Sequence, residues 1–248
     1  MAKKADITEI SQSLVDDYRK VLGNDLISVI LYGSAVTEEY VPKKSDLNFL
    51  IVLSEEGIEK LHLVYDLVAK WRKKRVGTPL FLTKAYIDSS LDTFPIEFLN
   101  IKRNYTVVFG EDILEGLSFE KEFVRMQCER ELKGKLLLLR ERYVGTKGKV
   151  KALRSLISGT FPTFIFVFKG LLYLLDREVP ATKRETVSTL AKALDLDQEL
   201  FLSLLQIKEG NLKPSVKETD ALFRKYLKEI RTLAKLIDTW EEHHGLPK

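Results

Sequence analysis

The chain has 248 residues, of which 45% are hydrophobic and 31% are charged, and its formal net charge is +4. This length is sufficient for one large hydrophobic core or two modest ones. The single cysteine, Cys128, excludes an internal disulfide and any CxxC metal or redox site. The charged first residues lack an apolar signal core, which predicts a cytoplasmic protein.

The chain begins with a predicted helix and strand. Apolar residues recur at helical spacing over residues 7–21, and the helix is expected to end near Gly23. An apolar strand follows over residues 27–32 and ends in Gly33-Ser34. A small-residue turn with a free hydroxyl and backbone N–H groups at a helix start is suited to hold a phosphate group.

A second predicted strand begins at Asp46 and runs to about Leu53. Side chains alternate between the faces of a strand, so Asp46 and Asn48 are expected side by side on one face. Both carry oxygen atoms that can bind a cation. Oxygen ligands next to a phosphate-binding turn predict magnesium-assisted chemistry on a nucleoside triphosphate.

This segment resembles the signature of nucleotidyltransferases of the DNA polymerase beta superfamily. The matching residues are Gly33-Ser34, eleven intervening residues, and then Asp46-Leu47-Asn48-Phe49. The chain departs from the family pattern at Asn48, where the family has a second carboxylate. The resemblance implies that Gly33 and Ser34 bind the nucleotide and that Asp46, Asn48 and a third acid bind Mg²⁺, or Mn²⁺, and act in catalysis.

Glu97 is the candidate for this third acid. It lies within the apolar run 95–101, which predicts a strand with a carboxylate in it. Because an unpaired buried carboxylate is costly, Glu97 is expected to have a cation or metal partner. Other strands are predicted over 79–82 and 107–109, and a helix capped by Ser54 is predicted to bury an apolar stripe over 58–71.

Strand patterns end near Phe119. Helical patterns replace them over 120–143, 150–156, 164–176, 183–194, 198–207 and 216–241. The apolar run 156–175 is long enough to suggest a membrane span, but Pro162 and Lys169 interrupt it, so a core helix preceded by a Pro-containing turn is predicted. We therefore expect an α/β (α+β) chain, with a small mixed-sheet nucleotidyltransferase-like domain over 1–117 and an all-α helical bundle over 118–248.

The predicted bundle is basic and the predicted sheet domain is acidic. Residues 118–248 contain 25 Lys or Arg against 18 Asp or Glu, whereas residues 1–117 contain 15 against 18. This layout resembles aminoglycoside (kanamycin) nucleotidyltransferase-like or HEPN-like proteins. Eight cations cluster over 133–154: Lys133, Lys135, Arg140, Arg142, Lys147, Lys149, Lys151 and Arg154. They form either a solvated helix face or a surface for anions or nucleic acid.

Three functional interpretations follow. The first is an enzyme, a metal-dependent nucleotidyltransferase that moves a nucleoside monophosphate from a nucleoside triphosphate to a hydroxyl of a small molecule or protein. The second is a nucleotide-binding or regulatory module whose catalysis is impaired by Asn48. The third is a binder of nucleic acid or a protein partner through the basic helices, for which weak binding is expected because stacking aromatics are sparse there. No membrane partner is expected.

Overall fold

A computed structural model describes residues 2–42 and 44–240 of the chain. The chain divides into two compact units, Met1–Phe119 and Glu120–Lys248. In the first unit the helices are α1 (Ala2–Leu22), α2 (Glu55–Ile58), α3 (Tyr65–Arg72), α4 (Lys84–Ser89) and α5 (Pro95–Arg103), and the strands are β1 (Leu26–Tyr32), β2 (Asn48–Leu53), β3 (Leu80–Thr83) and β4 (Tyr105–Gly110). In the second unit the helices are α6 (Lys121–Gly145), α7 (Val150–Leu174), α8 (Lys183–Ala193), α9 (Gln198–Glu209) and α10 (Val216–Asp238).

The strands of the first unit form one mixed sheet in the order β3-β2-β1-β4. Strand β1 is antiparallel to β2 and to β4, and β2 is parallel to β3. The register places Tyr32, the last residue of β1, opposite both Asn48 and Tyr105. The mixed sheet and the helical second part of the chain confirm the predicted fold class.

Side-chain alternation divides the sheet into two covered faces. Leu31, Phe49 and Ile51 belong to one buried cluster with residues of α1 and α3, including Tyr18 and Trp71. Residues of the alternate set are buried outside that cluster, namely Ile30, Leu50 and Val52. Asn48 precedes Phe49 in the strand, so it lies on the face away from α1 and α3.

The predicted strand over 95–101 is wrong, because these residues form α5. Pro95 stands in the first helical turn, where its missing N–H costs nothing, and Lys102 and Arg103 occupy the last turn. A short apolar run does not separate a buried strand from a buried helix by periodicity alone. Strands were predicted correctly near β3 and β4.

The single helix predicted over 58–71 is, in the structure, divided into two helices with a 3₁₀ turn between them. Ser54 caps α2 as predicted, since its hydroxyl accepts a hydrogen bond from the Gly57 N–H at 3.0 Å. The chain then continues through a 3₁₀ turn, Leu61–Val64, into α3. A side chain at Gly57 would place its Cβ 2.8 Å from the Cβ of Asp25, so a glycine is required where α2 meets that residue.

The helical unit is built around α7, which packs against α6, α8, α9 and α10. The prediction of two helices separated by a Pro-containing turn is wrong, because Pro162 lies inside one continuous helix. Phe161, Phe164 and Phe168 are buried around it, and this burial offsets the hydrogen bond that proline removes. The predicted end of the last helix, at residue 241, lies outside the described residues.

Within the described residues, α7 is the helix whose length and apolar composition would suffice to cross a membrane. Its apolar side chains pack in the bundle: Phe161 stacks on Phe201 with ring centroids 6.0 Å apart, and Phe164 meets Tyr226 edge to face at 5.6 Å. These contacts agree with the predicted role of α7 as a core helix.

Candidate functional site

The end of strand β1 brings the Gly33-Ser34 turn against the start of β2. Tyr32 pairs with Asn48, and the chain then enters a 3₁₀ turn, Gly33–Val36. Gly33 has φ of +80°, a left-handed conformation that a residue with a Cβ rarely adopts. The turn therefore depends on glycine at its first position.

The side-chain amide of Asn48 lies between two glycines. A Cβ added to Gly33 would lie 3.4 Å from Asn48 Nδ2, and one added to Gly77 would lie 3.3 Å from Asn48 Oδ1. These two residues come from opposite sides of β2, since Gly33 follows β1 and Gly77 precedes β3. A side chain at either glycine would thus lie in van der Waals contact with the Asn48 amide.

The hydrogen-bond donors of the Gly33–Val36 turn differ in whether they already have a partner in the protein. The Gly33 N–H donates to the Asn104 carbonyl at 2.9 Å, so it is not available to a phosphate as the sequence predicted. The Ser34 carbonyl accepts hydrogen bonds from the N–H and the hydroxyl of Thr37, both at 3.1 Å. No group among the described residues bonds the Ser34 hydroxyl. Ser34 is therefore the side-chain donor that this turn offers to a ligand.

Asp46 lies before β2 and not within it, which corrects the predicted start of the strand. Because β1 ends at the Tyr32–Asn48 pair, Asp46 has no strand residue of β1 opposite it. Its carboxylate is 3.0 Å from Nη2 of Arg75, and both side chains are about half exposed, at 59% and 49%. The negative charge of Asp46 is therefore partly balanced by a cation that the sequence had not assigned to the site.

Arg75 holds the loop before β2 in place. It adopts a left-handed φ of 61°, and its guanidinium also donates to the Lys44 carbonyl at 2.9 Å. Its own carbonyl accepts from the Leu47 N–H, and the Gly77 N–H donates to the Leu47 carbonyl, both at 2.9 Å. In the sequence, Arg75 is one of several cations at a predicted helix C-terminus, which needs no further explanation. Its contacts in this loop depend on its positive φ, which no residue pattern predicts.

Two tyrosines extend the row of side chains across the sheet. Tyr32 pairs with Asn48 of β2 on one side and with Tyr105 of β4 on the other. Burial raises the pKa of the Tyr32 phenol. Burial and a 2.9 Å hydrogen bond to Asp112 raise the pKa of Tyr105 to about 12. Both phenols therefore stay protonated at neutral pH beside the turn.

The predicted third acid is not on a strand. Glu97 lies in the first turn of α5, where its side chain is half-buried. None of the strands β1 to β4 contains Asp or Glu, so no strand of the described sheet supplies a third carboxylate. The metal and catalytic roles assigned to Asp46, Asn48 and Glu97 remain predictions.

The donor set does not fit a two-metal centre. Asn48 offers one neutral amide oxygen, and Asp46 is the single carboxylate of the motif, already paired with Arg75. Across residues 2–42 and 44–240, no group of three His, Cys, Asp or Glu side chains could hold a metal ion. Two dications need several negatively charged oxygen ligands.

The basic stretch of the second unit is partly neutralised. Lys133 contacts Glu129 at 2.6 Å and Asp238 at 2.5 Å, and Lys135 contacts Glu131 at 2.7 Å. Arg154 donates to the Pro214 carbonyl. The other five cations have no carboxylate partner among the described residues: Arg140, Arg142, Lys147, Lys149 and Lys151.

No protein-family profile matches this sequence, and no curated protein matches it. Among solved structures, the chain is similar to the spectinomycin adenyltransferase AAD(9) from Enterococcus faecialis, crystallised with ATP and spectinomycin. The identity is 17%, the TM-score is 0.47, and the match covers 88% of this chain and 98% of that chain. A likeness at this level assigns neither an activity nor a ligand to the chain.

Proposed function

We propose that the first unit is a nucleotidyltransferase-like module that binds a nucleoside triphosphate at the Gly33-Ser34 turn beside Asn48, with reduced capacity for metal-assisted transfer. The observation that carries this proposal is the position of the Asn48 amide, which lies against Gly33 at the start of the turn. This amide has N–H donors where the family pattern has a carboxylate.

The charge of the site supports metal-free binding. A pair of carboxylates repels a triphosphate unless cations neutralise it, whereas a neutral amide does not. Asp46, the remaining acid of the motif, is balanced by Arg75 at 3.0 Å. The Asn48 amide and the Ser34 hydroxyl can therefore donate to phosphate oxygens without an ion between them, through charge-assisted hydrogen bonds.

Calorimetric titration of the full chain with ATP, GTP, CTP and UTP tests the proposal, with EDTA and separately with Mg²⁺. We expect binding in EDTA. Asn48→Asp should weaken it by about tenfold or more, because a hydrogen bond to a charged group contributes about 1.5–3 kcal/mol, and the variant should regain affinity when Mg²⁺ is added. Absence of binding by the natural chain under both conditions would overturn the proposal.

Asp46→Asn is the matched control. It exchanges a carboxylate for an amide, the reverse of Asn48→Asp, and so removes a negative charge from the motif. Metal-free binding should therefore persist or improve. If Asp46→Asn and Asn48→Asp lowered metal-free affinity equally, the amide of Asn48 would have no special role.

Transfer of a nucleoside monophosphate to a hydroxyl acceptor is the second candidate function. It is favoured by the exposed carboxylate of Asp46, which remains accessible at the start of β2. Incubation with α-labelled nucleotides, Mg²⁺ or Mn²⁺ and pooled hydroxyl compounds, with the protein itself as a further acceptor, tests it. Label transfer would support an enzyme, and its absence alongside tight nucleotide binding would support the binding module.

A further inference from the structure

The guanidinium of Arg75 has hydrogen-bond donors that the protein leaves unused. Its Nη2 lies 3.0 Å from the Asp46 carboxylate and 2.9 Å from the Lys44 carbonyl. Its Nε and Nη1 have no partner among the described residues, and the side chain is 49% exposed. A guanidinium carries N–H groups on all three nitrogens and a permanent positive charge. Donors and charge therefore remain accessible beside the motif.

This guanidinium lies beside the sheet face that carries Asn48. Leu47 forms a bridge with Val76 and is buried in the cluster that includes α1. Asp46 and Asn48 flank Leu47 in the chain, so both side chains lie on the opposite face. Because the guanidinium of Arg75 contacts Asp46, it joins that same face.

Arg75 and the Gly33-Ser34 turn flank β2 from opposite sides. The turn follows β1, whereas the backbone of Arg75 and Gly77 bonds Leu47 from the side of β3. Neighbouring strands are about 4.8 Å apart, so the backbones on the two sides of β2 are separated by about 10 Å. A chain of linked phosphates is long enough to contact donors on both sides of β2, whereas a single phosphate group is not.

The charge of Arg75 bears on the poor fit of this site to a two-metal centre. Mg²⁺ in nucleotide sites is usually held by one or two carboxylates together with the phosphates of the ligand. Here the carboxylate of Asp46 already contacts a cation that the chain itself provides. Arginine binds phosphate groups through charge-assisted hydrogen bonds.

We propose that Arg75 is a phosphate-binding residue of the candidate nucleotide site and takes the role of a metal cation there. Its Nη2 stays on Asp46, and its Nε or Nη1 donates to a polyphosphate whose other end is bound by Ser34 and Asn48. The ligand class is thus a compound with several linked phosphates, bound without a metal ion. This inference rests on the proposed function.

Calorimetric titration of the full chain with ATP and with inorganic tripolyphosphate, both in EDTA, tests the contact. Arg75→Met should weaken both ligands by about three- to tenfold, and the same loss should appear when it is made in the Asp46→Asn variant. A loss in the natural background alone would overturn the proposal, because Arg75 would then only neutralise Asp46. Arg72→Met, which removes a cation from the last turn of α3, should leave both affinities within about twofold. An equal loss there would show a general charge effect and overturn the proposal.

The same titrations in Mg²⁺ separate a role as cation from a structural role in the loop. Mg²⁺ should not raise the ATP affinity of the natural chain, but it should restore most of the affinity that Arg75→Met loses, since Asp46 is then free to share an ion with the phosphates. The double variant Arg75→Met/Asp46→Asn should not recover. Tighter ATP binding by the natural chain in Mg²⁺, no recovery in Arg75→Met, or recovery in the double variant would each overturn the proposal.

Failure of this inference is distinguishable from failure of the proposed function. ATP binding that is insensitive to Arg75→Met would overturn the role of Arg75 alone. Absence of ATP binding by the natural chain, both in EDTA and in Mg²⁺, would overturn the proposed function and this inference with it.

Discussion

The sheet end of the first unit and the α6–α7 corner of the second, residues 140–151, both combine polar side chains with a left-handed glycine. At the sheet end two of the polar side chains have fixed neighbours, because Asn48 lies between two glycines and Asp46 contacts Arg75. At the α6–α7 corner five cations lack carboxylate partners among the described residues, and no atom lies within 4 Å of a Cβ added to Gly148. Fixed contacts therefore distinguish a candidate site from a solvated surface better than charge does.

The largest effect is expected for Gly33→Ala, compared with Gly148→Ala. Both glycines have left-handed φ, +80° and +70°, which costs a residue with a Cβ roughly 1–2 kcal/mol. Gly33→Ala should therefore lower the free energy of unfolding by about 1–2 kcal/mol, and it should also weaken nucleotide binding because its Cβ would lie beside the Asn48 amide. Urea titration measures the stability of both variants, and calorimetric titration with ATP measures the binding.

Gly148→Ala serves as the control for backbone strain alone, with an expected loss of about 1–2 kcal/mol. Gly148→Ala should leave nucleotide binding unchanged, and an equal loss of binding in the two variants would contradict a nucleotide site at the Gly33-Ser34 turn.

The second-largest effect is a loss of stability at alkaline pH, and it concerns Tyr105. Its folded-state pKa of about 12 lies above the ordinary value of 10.0, so the fold favours the protonated phenol. The resulting stabilisation is fully present below about pH 10 and is lost as the pH rises to about 12. Tyr105→Phe should flatten the fall of stability over this range, as measured by urea titration at successive pH values. Tyr86→Phe, at an exposed tyrosine, should leave the profile unchanged.

A smaller effect on stability is expected for Arg75→Met. The pair with Asp46 is about half exposed, so its loss should change the free energy of unfolding by less than about 1 kcal/mol. Metal-free ATP affinity should fall by roughly two- to tenfold, because the charge of Asp46 is then unbalanced beside the phosphates. Arg72→Met, in the last turn of α3, is the control, and an equal loss of affinity there would show a general charge effect.

The smallest effect is expected at the α6–α7 corner. Replacing Lys147, Lys149 and Lys151 together by Gln should change stability by about 0.5 kcal/mol or less, as is usual for surface positions. Any binding of single-stranded or duplex nucleic acid should be weak and sequence-independent, and its salt dependence should become shallower in the variant. Submicromolar binding at physiological salt by the natural chain would instead make this corner a functional surface.

The sequence predicts the elements whose burial follows a clear period. Strands β1 and β2 are apolar runs bounded by turn residues, and the stripe of α10 from Phe223 to Ile237 repeats every three to four residues. Asn48 and the Gly33-Ser34 turn could be predicted as neighbours because a strand ends at one and begins at the other. The mixed sheet and the helical second part follow from the same patterns.

The remaining features depend on tertiary contacts that no local pattern contains. The run 95–101 is buried on too many sides to show a helical period, so α5 was predicted as a strand. Pro162 stands inside α7 because aromatic packing on both sides outweighs the lost hydrogen bond. The link between Arg75 and Asp46 depends on a left-handed arginine, which has no signature in the sequence.

The position of Asn48 between two glycines has an evolutionary consequence. Asn and Asp have nearly the same shape, so the neighbours Gly33 and Gly77 accommodate either one. Codons for Asn and Asp differ by a single base, so one point mutation would convert the amide into the carboxylate of the nucleotidyltransferase pattern without repacking its neighbours. The lineage of this chain can therefore exchange a neutral amide for a charged carboxylate, in either direction, in one genetic step.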